Sequence, residues 1–225
     1  MAESARGNVE RLEPSKADRA ASRRVAESKA TVPHLYMSID IDVTDAQDLV
    51  REGRDGPGLF EIVLRGVALA LGEVPRLNGA YRDGAPEHYS RVNLGVVADR
   101  GSVVPTIFDA DRKSLDEITV EWRRLEERAR DGSITAAELS GGTFTVTEAG
   151  PLVGSFAPVI HGGQAANLGL GGFGLRVMPT DRDVLTRHVV TATLVADARM
   201  IDARNASDFL AHLNGNLIVP QRLAI

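Results

Sequence analysis

RHVVTATLVADARMID, residues 187–202, begins as a run of β-branched and small apolar residues and breaks into a polar corner, Asp197-Ala198-Arg199-Met200-Ile201-Asp202. The first part carries the composition and alternation of a β-strand. A strand that delivers polar residues to a turn holds them on a rigid support at the surface, a common place for chemistry. The corner is therefore the first candidate site, and the strand before it the first element of the fold.

Composition limits what surrounds that corner. The chain has 225 residues, a net charge of −5 and 43% hydrophobic content, enough for one domain with its own core. It contains no cysteine, which excludes disulfides, a thiol nucleophile and thiolate metal sites and fits a reducing compartment. No apolar run is long enough to span a bilayer. The N-terminus, MAESARGNVERLEPSK, lacks the apolar centre of a secretory leader. A cytoplasmic location is expected, with no membrane partner. Scattered arginines without a basic stripe argue against nucleic acid.

Working outward, residues 1–14 are polar, aperiodic and end at Pro14, as a flexible arm would, and residues 15–225 read as a single domain. Ser15 with Asp18 starts a helix through residue 29 whose arginine-rich surface is either a solvated face or a subunit contact. Val32-Pro33 stops it. Leu35, Met37, Ile39, Ile41 and Val43 then alternate with Tyr36, Ser38, Asp40 and Asp42, a half-buried strand. Its polar face is either simply hydrated or the wall of a polar channel. A Gly- and Pro-containing loop at 53–58 precedes a buried helix over 59–74. A hairpin is expected near 80–90, with strands over 92–98 and 103–108 joined across Arg100-Gly101.

Ser114 and Glu117 form a capping-box pattern for a helix that buries Leu115, Ile118, Trp122, Leu125 and Ala129 and ends at Asp131-Gly132. Further strands are expected over 143–147, 156–160 and 165–170, a turn at 181–183 and an amphipathic helix over 205–213. Strands interrupted by three to five helices make this an α+β chain.

Six stretches in this order resemble the catalytic domain of dihydrolipoyl acyltransferases, the acyltransferase components of 2-oxo acid dehydrogenase complexes. They are RRVAESKATVPHLYMSIDIDVT (23–44), RVNLGVV (91–97), GSVVPTIFDADRKSLDEI (101–118), GGTFTVTEAG (141–150), QAANLGLGG (164–172) and DARMIDARNASDFL (197–210). The resemblance implies the chloramphenicol acetyltransferase-like fold, a two-layer α+β sandwich with a mixed sheet. It also implies a homotrimer, or a larger cage of trimers, with the active site at the interface between subunits. The co-substrate it implies is acetyl-CoA or another acyl-CoA, without a metal.

In the family the corner reads Asp-His-Arg-x-x-Asp-Gly, and its His removes the proton from the attacking thiol or hydroxyl. An imidazole suits that task because it titrates near neutrality and a hydroxyl is otherwise a weak nucleophile. Asp197, Arg199 and Asp202 match this pattern; Ala198 stands in place of the His and Ala203 in place of the Gly. Asp202 is expected either to cap the next helix, to pair with Arg199, or both. Thr147 matches the family serine that donates to the oxyanion of the tetrahedral intermediate. Glu148 stands where Asn is usual, and His161-Gly162-Gly163 where Asn-Pro-Pro is usual, so Glu148 and His161 are expected to shape an altered substrate pocket.

Three accounts of Ala198 are open: an engineered inactive variant of a protein with His here, a natural pseudo-acyltransferase serving as scaffold or binding module, or an enzyme turned to a reaction that needs no His at this place. The chain carries no lipoyl domain, so no covalently bound lipoyl group is expected on it, and its start reads as that of a free-standing protein. The resulting expectation is an acyl-CoA-dependent acyltransferase acting on the hydroxyl of a small natural-product (polyketide, tetronate-type) intermediate. The alternative is the lipoyl-dependent core of a 2-oxo acid dehydrogenase complex.

Overall fold

A computed structural model describes residues 7, 9–52, 56–98, 103–179, 183–220 and 223. Residues 1–6 and 8 of the expected arm, the Arg100-Gly101 connection and most of the turn expected at 181–183 lie outside the described residues.

The sheet is built around the strand quoted first. This strand, β9 (Val184–Asp197), pairs antiparallel with β1 (His34–Asp42) on one edge and with β7 (Ala166–Leu170) on the other. Beyond β7 come β6 (Phe144–Glu148) and β4 (Leu94–Val96), both parallel steps, and then β5 (Thr106–Ile107), antiparallel. The sheet is mixed, as expected. β2 (Gly79–Arg82) and β3 (Ala85–His88) form the hairpin expected near 80–90. The first half of β9 pairs instead with β8 (Gly174–Pro179).

Alternation assigns the two faces. Ile41, Ala192, Leu194, Leu168, Phe144, Val146 and Leu94 point to one side and join one core with the helices. Those helices are α2 (Thr44–Glu52), α3 (Leu59–Glu73), α4 (Leu115–Asp131) and α5 (Ala203–Ile218). α3 and α5 meet at Gly66, where an added Cβ would lie 3.1 Å from Leu217 and 3.4 Å from Leu213, so the small residue sets their approach. α4 has both bonds of its capping box and stops at Gly132, whose φ of +76° suits glycine. Trp122 is core, edge-on to Phe60.

The opposite face carries the polar residues of the same strands. Ser38 bonds Thr193 and Asp40 bonds Thr191 across β1 and β9, and Arg176 joins Asp40 and Thr191. α1 (Lys16–Thr31), with its Ser15–Asp18 capping box, tethers the segment that crosses this face: Ser28 Oγ donates to the Ile160 carbonyl at 2.8 Å.

Three expectations change. Residues 156–160 are not a strand: this segment runs over β7, held by Asn167 Nδ2 on the Val159 carbonyl, and a Cβ at Gly169 would come within 2.6 Å of the Phe156 carbonyl oxygen. A segment lying on top of a sheet has the apolar content of a strand but no ladder to join. The last helix is longer than its amphipathic centre, and α2 and β8 are additional elements. No helix among the described residues is long and apolar enough to cross a membrane.

Candidate active site

The corner after β9 is fixed by backbone bonds on three sides. Asp197 N donates to the Ala165 carbonyl, Ala198 N donates to the Pro33 carbonyl at 2.9 Å, and Met200 N and Ile201 N both donate back to the Asp197 carbonyl. Position 198 is the exposed apex of this turn, with Asp197 buried on one side and the apolar Met200 and Ile201 buried on the other. A side chain longer than alanine at the apex would project outward from a rigid mount.

Asp197 is 2% exposed. Its carboxylate accepts the Arg199 backbone N–H at 3.0 Å, Arg199 Nε at 2.9 Å and Arg199 Nη2 at 2.5 Å. Such a forked, charge-assisted arrangement fixes geometry as well as charge. The guanidinium then lies 4.3 Å over the Tyr81 ring, a cation–π contact that ties the β2–β3 hairpin to the corner. Arg199 thus pairs with Asp197 and not with Asp202. Asp202 takes the capping role: its side chain accepts Asn205 N at 2.8 Å and starts α5.

Thr147 and Glu148 lie elsewhere on the same sheet. Thr147, half-buried, pairs with Gly169 and shares the polar face. Glu148 is exposed at the end of β6, yet desolvation, and behind it the charge of Glu126, raises its carboxyl above the ordinary value. The register fixes the distance to the corner. Thr147 stands opposite Gly169, Gly169 opposite Thr193, and Thr193 is five residues before Ala198. At strand rise and spacing that is about 17 Å along β9 and about 10 Å across it, roughly 20 Å in all. One chain therefore does not bring Thr147 and position 198 together.

His161 does come to the corner. A cavity of about 320 Å³ is walled by Asp197 and Arg199, by Tyr81 and Arg82, and by Arg24 of α1 with His161. A second cavity of about 430 Å³ shares Arg24, His161 and Gln164 and reaches the starts of β4 and β6 at Gly95 and Thr145. Gln164 separates the two, accepting from Thr145 Oγ1 at 2.8 Å and donating to the Gly142 carbonyl at 3.1 Å. Burial, reinforced by the charge of Arg24, holds the His161 ring below the usual histidine value. Gln164, Tyr81 and Arg24 carried no motif of their own, although Arg24 and Gln164 fell inside matching stretches. Among the described residues no group of three or more histidines and carboxylates is placed to hold a metal ion.

Comparison with known proteins agrees with this architecture. Residues 6–225 match the family model described as 2-oxoacid dehydrogenases acyltransferase (catalytic domain). A curated relative, the dihydrolipoyllysine-residue acetyltransferase component of the pyruvate dehydrogenase complex of Rickettsia prowazekii, is 31% identical over 202 residues, covering 84% of this chain and 49% of the relative. The chain thus spans about half the length of the curated relatives it matches. The crystal structure of a probable dihydrolipoamide acetyltransferase from Listeria monocytogenes superimposes with a TM-score of 0.85 at 28% identity, covering 95% of this chain and 96% of that one. A chloramphenicol acetyltransferase shares the fold, with a TM-score of 0.58 at 14% identity over 93% of this chain and 99% of that one. With a strand order, a corner and a family model over nearly its whole length in agreement, the chain belongs to the 2-oxoacid dehydrogenase acyltransferase catalytic-domain family.

Proposed function

We propose that the chain transfers an acyl group between a dihydrolipoyl thiol and the thiol of CoA, as the catalytic core of a trimer or a cage of trimers, with residues 15–225 as the catalytic unit. The relatives it matches are named for acetyl transfer to a dihydrolipoyl residue, which favours this alternative over the hydroxyl of a natural-product intermediate. The lipoyl group would arrive on a separate domain.

The observation that carries the reading is the mount around position 198: an apex hung on Pro33, braced by the Asp197–Arg199 fork and followed by an Asp202-capped helix. In the proposed reaction one thiol loses its proton as its sulfur adds to the thioester carbonyl of the other substrate. Thr147 Oγ1 donates to the resulting oxyanion from the neighbouring subunit, because its own corner is roughly 20 Å away. Glu148, next along β6, alternates to the helix-side face with Phe144 and Val146, near Glu126 of α4, and lines neither cavity, so it is left out of the proposed pocket. Ala198 supplies no base.

The test restores one. Ala198→His, assayed for thiol exchange between acetyl-CoA and dihydrolipoamide, is expected to transfer at least as fast as the unaltered chain. General-base catalysis, worth ~10²–10⁴-fold, sets the ceiling of the gain. A folded trimer that exchanges no acetyl group either with or without this substitution removes the reading and leaves a scaffold or binding module.

A further inference from the structure

Ala198 removes the imidazole from the apex, yet another imidazole stands in the wall of the same cavity. Of the five histidines, four are placed against such a role. His34 uses Nδ1 on the Val32 carbonyl at 2.7 Å, and its Nε2 is closed off without lining either cavity. His88 is on the exposed β3, and His212 is on the exposed side of α5. His188 pairs with Leu175, ten residues before Ala198 along β9 and therefore about 33 Å from it. His161 alone joins Asp197 and Arg199 around one space.

Its support is unusually firm for a residue between a coil segment and two glycines. The carbonyl before it, Ile160, is held by Ser28 Oγ at 2.8 Å; the Gly163 carbonyl is held by Tyr89 Oη at 2.9 Å. Gln164 N closes the turn on the His161 carbonyl at 3.1 Å, and the next residue, Ala165, accepts the Asp197 N–H at 2.8 Å. The turn that carries the ring and the corner that lacks one are thus linked through a single backbone hydrogen bond. Among the described residues His161 has no side-chain hydrogen-bond or ion-pair partner, so its nitrogens are left for a ligand in the cavity. The paired glycines after it keep the cavity mouth free of side chains: nothing lies within 4 Å of a Cβ placed on Gly162, and only Arg82 and Tyr89 approach one on Gly163.

We propose that His161 is the proton acceptor of acyl transfer in this chain, acting from the side of the cavity instead of from the apex. The proposal rests on the acyl-transfer reading above. The free ring nitrogen of neutral His161 takes the proton from the attacking thiol as that sulfur bonds to the thioester carbon and the carbonyl electron pair moves to oxygen. Collapse re-forms the carbonyl and breaks the original carbon–sulfur bond, and the departing thiolate takes the proton back from the imidazolium. No oxidant, reductant or further reactant is required.

The charged and titratable groups facing the ring are Arg24 and Glu27 from α1, Arg82 from β2, Tyr81 and Tyr89 from the hairpin region, and the Asp197–Arg199 pair. Cations predominate among them and the ring is partly desolvated, so it stays neutral at neutral pH and protonates only below the ordinary value of 6.5. Transfer is therefore expected to fall as pH drops through that lowered value.

The experiment uses the full chain, with acetyl-CoA and dihydrolipoamide, as four proteins: unaltered, His161→Gln, Ala198→His and the double variant. The unaltered chain is expected to turn over measurably, and His161→Gln to lose roughly 10²-fold in kcat with little change in KM for either thiol. The acid limb of its pH–rate profile should vanish too. Ala198→His is expected to gain little in the unaltered background and much in the His161→Gln background, because each imidazole substitutes for the other. The proposal is overturned if the unaltered chain is inert while Ala198→His is active, or if His161→Gln leaves kcat within about threefold. Were neither imidazole to support transfer, the acyl-transfer reading would fail and this proposal with it. Matching thermal unfolding of His161→Gln and the parent excludes a folding defect as the cause.

Discussion

Arg199 illustrates how much of the corner is structural. Its guanidinium neutralises a carboxylate with 2% exposure, and 33% of its own side chain meets solvent. Arg199→Ala leaves Asp197 buried with, among the described residues, only the backbone N–H of residue 199 as a donor. An uncompensated buried charge is costly; discounting for the partial exposure of the arginine, the expected loss is roughly 3 kcal/mol. Arg199→Lys should recover only part, since an ammonium reproduces neither the fork nor the stacking on Tyr81. Urea denaturation measures both; a loss below about 0.5 kcal/mol would mean that the pair behaves as an ordinary surface ion pair. The same residues explain what the sequence revealed about the corner. Asp197, Arg199 and Asp202 were legible as a set because they are contiguous. Which carboxylate Arg199 takes was not, because both lie within reach and only burial favours Asp197.

At the scale of elements, legibility followed the locality of the cause. α1 and α4 announce themselves through Ser15–Asp18 and Ser114–Glu117, whose bonds close within one turn. The segment over β7 does not, because its path depends on Gly169, Gly171 and Gly172 making room for the Phe156, Gly154 and Pro151 carbonyls from a distant part of the chain. The cavity at His161 was hidden for the same reason: α1, the hairpin and the corner meet there only in three dimensions. Residues 133–140 carry an intermediate signal. Thr135 and Glu138 have capping-box spacing without a following helix. Glu138 accepts Thr135 N at 2.9 Å and Thr135 Oγ1 at 2.7 Å, takes Arg124 and Arg128 from α4, and lends its carbonyl to Thr106 N. The Thr135 bonds, foremost, and then the arginines hold its carboxyl down at about 2. A depressed carboxylate stabilises the fold above its unfolded value of 4.5, and that contribution is lost as pH falls toward about 2. Glu138→Gln should therefore lower the Tm near neutrality, and the gap to the parent should close between these two values. A gap that persists unchanged in acid would assign the effect to hydrogen bonding alone.

The whole molecule poses a problem that neither residue nor element resolves: Thr147, the proposed oxyanion donor, and position 198, the proposed seat of a base, are roughly 20 Å apart on one sheet. Thr147, Gly169 and Thr193 are in register, and from Thr193 the strand runs five more residues to Ala198. No side-chain rotation spans that distance. If both positions serve one reaction, they come from two copies, and the contact is heterologous, so that a closed ring presents one complete site at each interface. This arrangement can be tested by complementation. Both proteins carry His161→Gln, so that only the apex can supply an imidazole. One also carries Ala198→His with Thr147→Val, giving a sound apex and no oxyanion donor; the other keeps Thr147 and Ala198, with the donor and no apex imidazole. Neither homotrimer contains an interface with both groups, whereas mixed trimers formed by co-expression do. Their acetyl transfer is expected to exceed the weighted sum of the two homotrimers, by up to the order of 10²-fold that one oxyanion donor contributes at each repaired interface. Activity equal to the weighted sum would show that Thr147 and position 198 never share a site. A rise that follows the statistical fraction of mixed interfaces would show that the corner is one half of a site whose other half belongs to the neighbouring subunit.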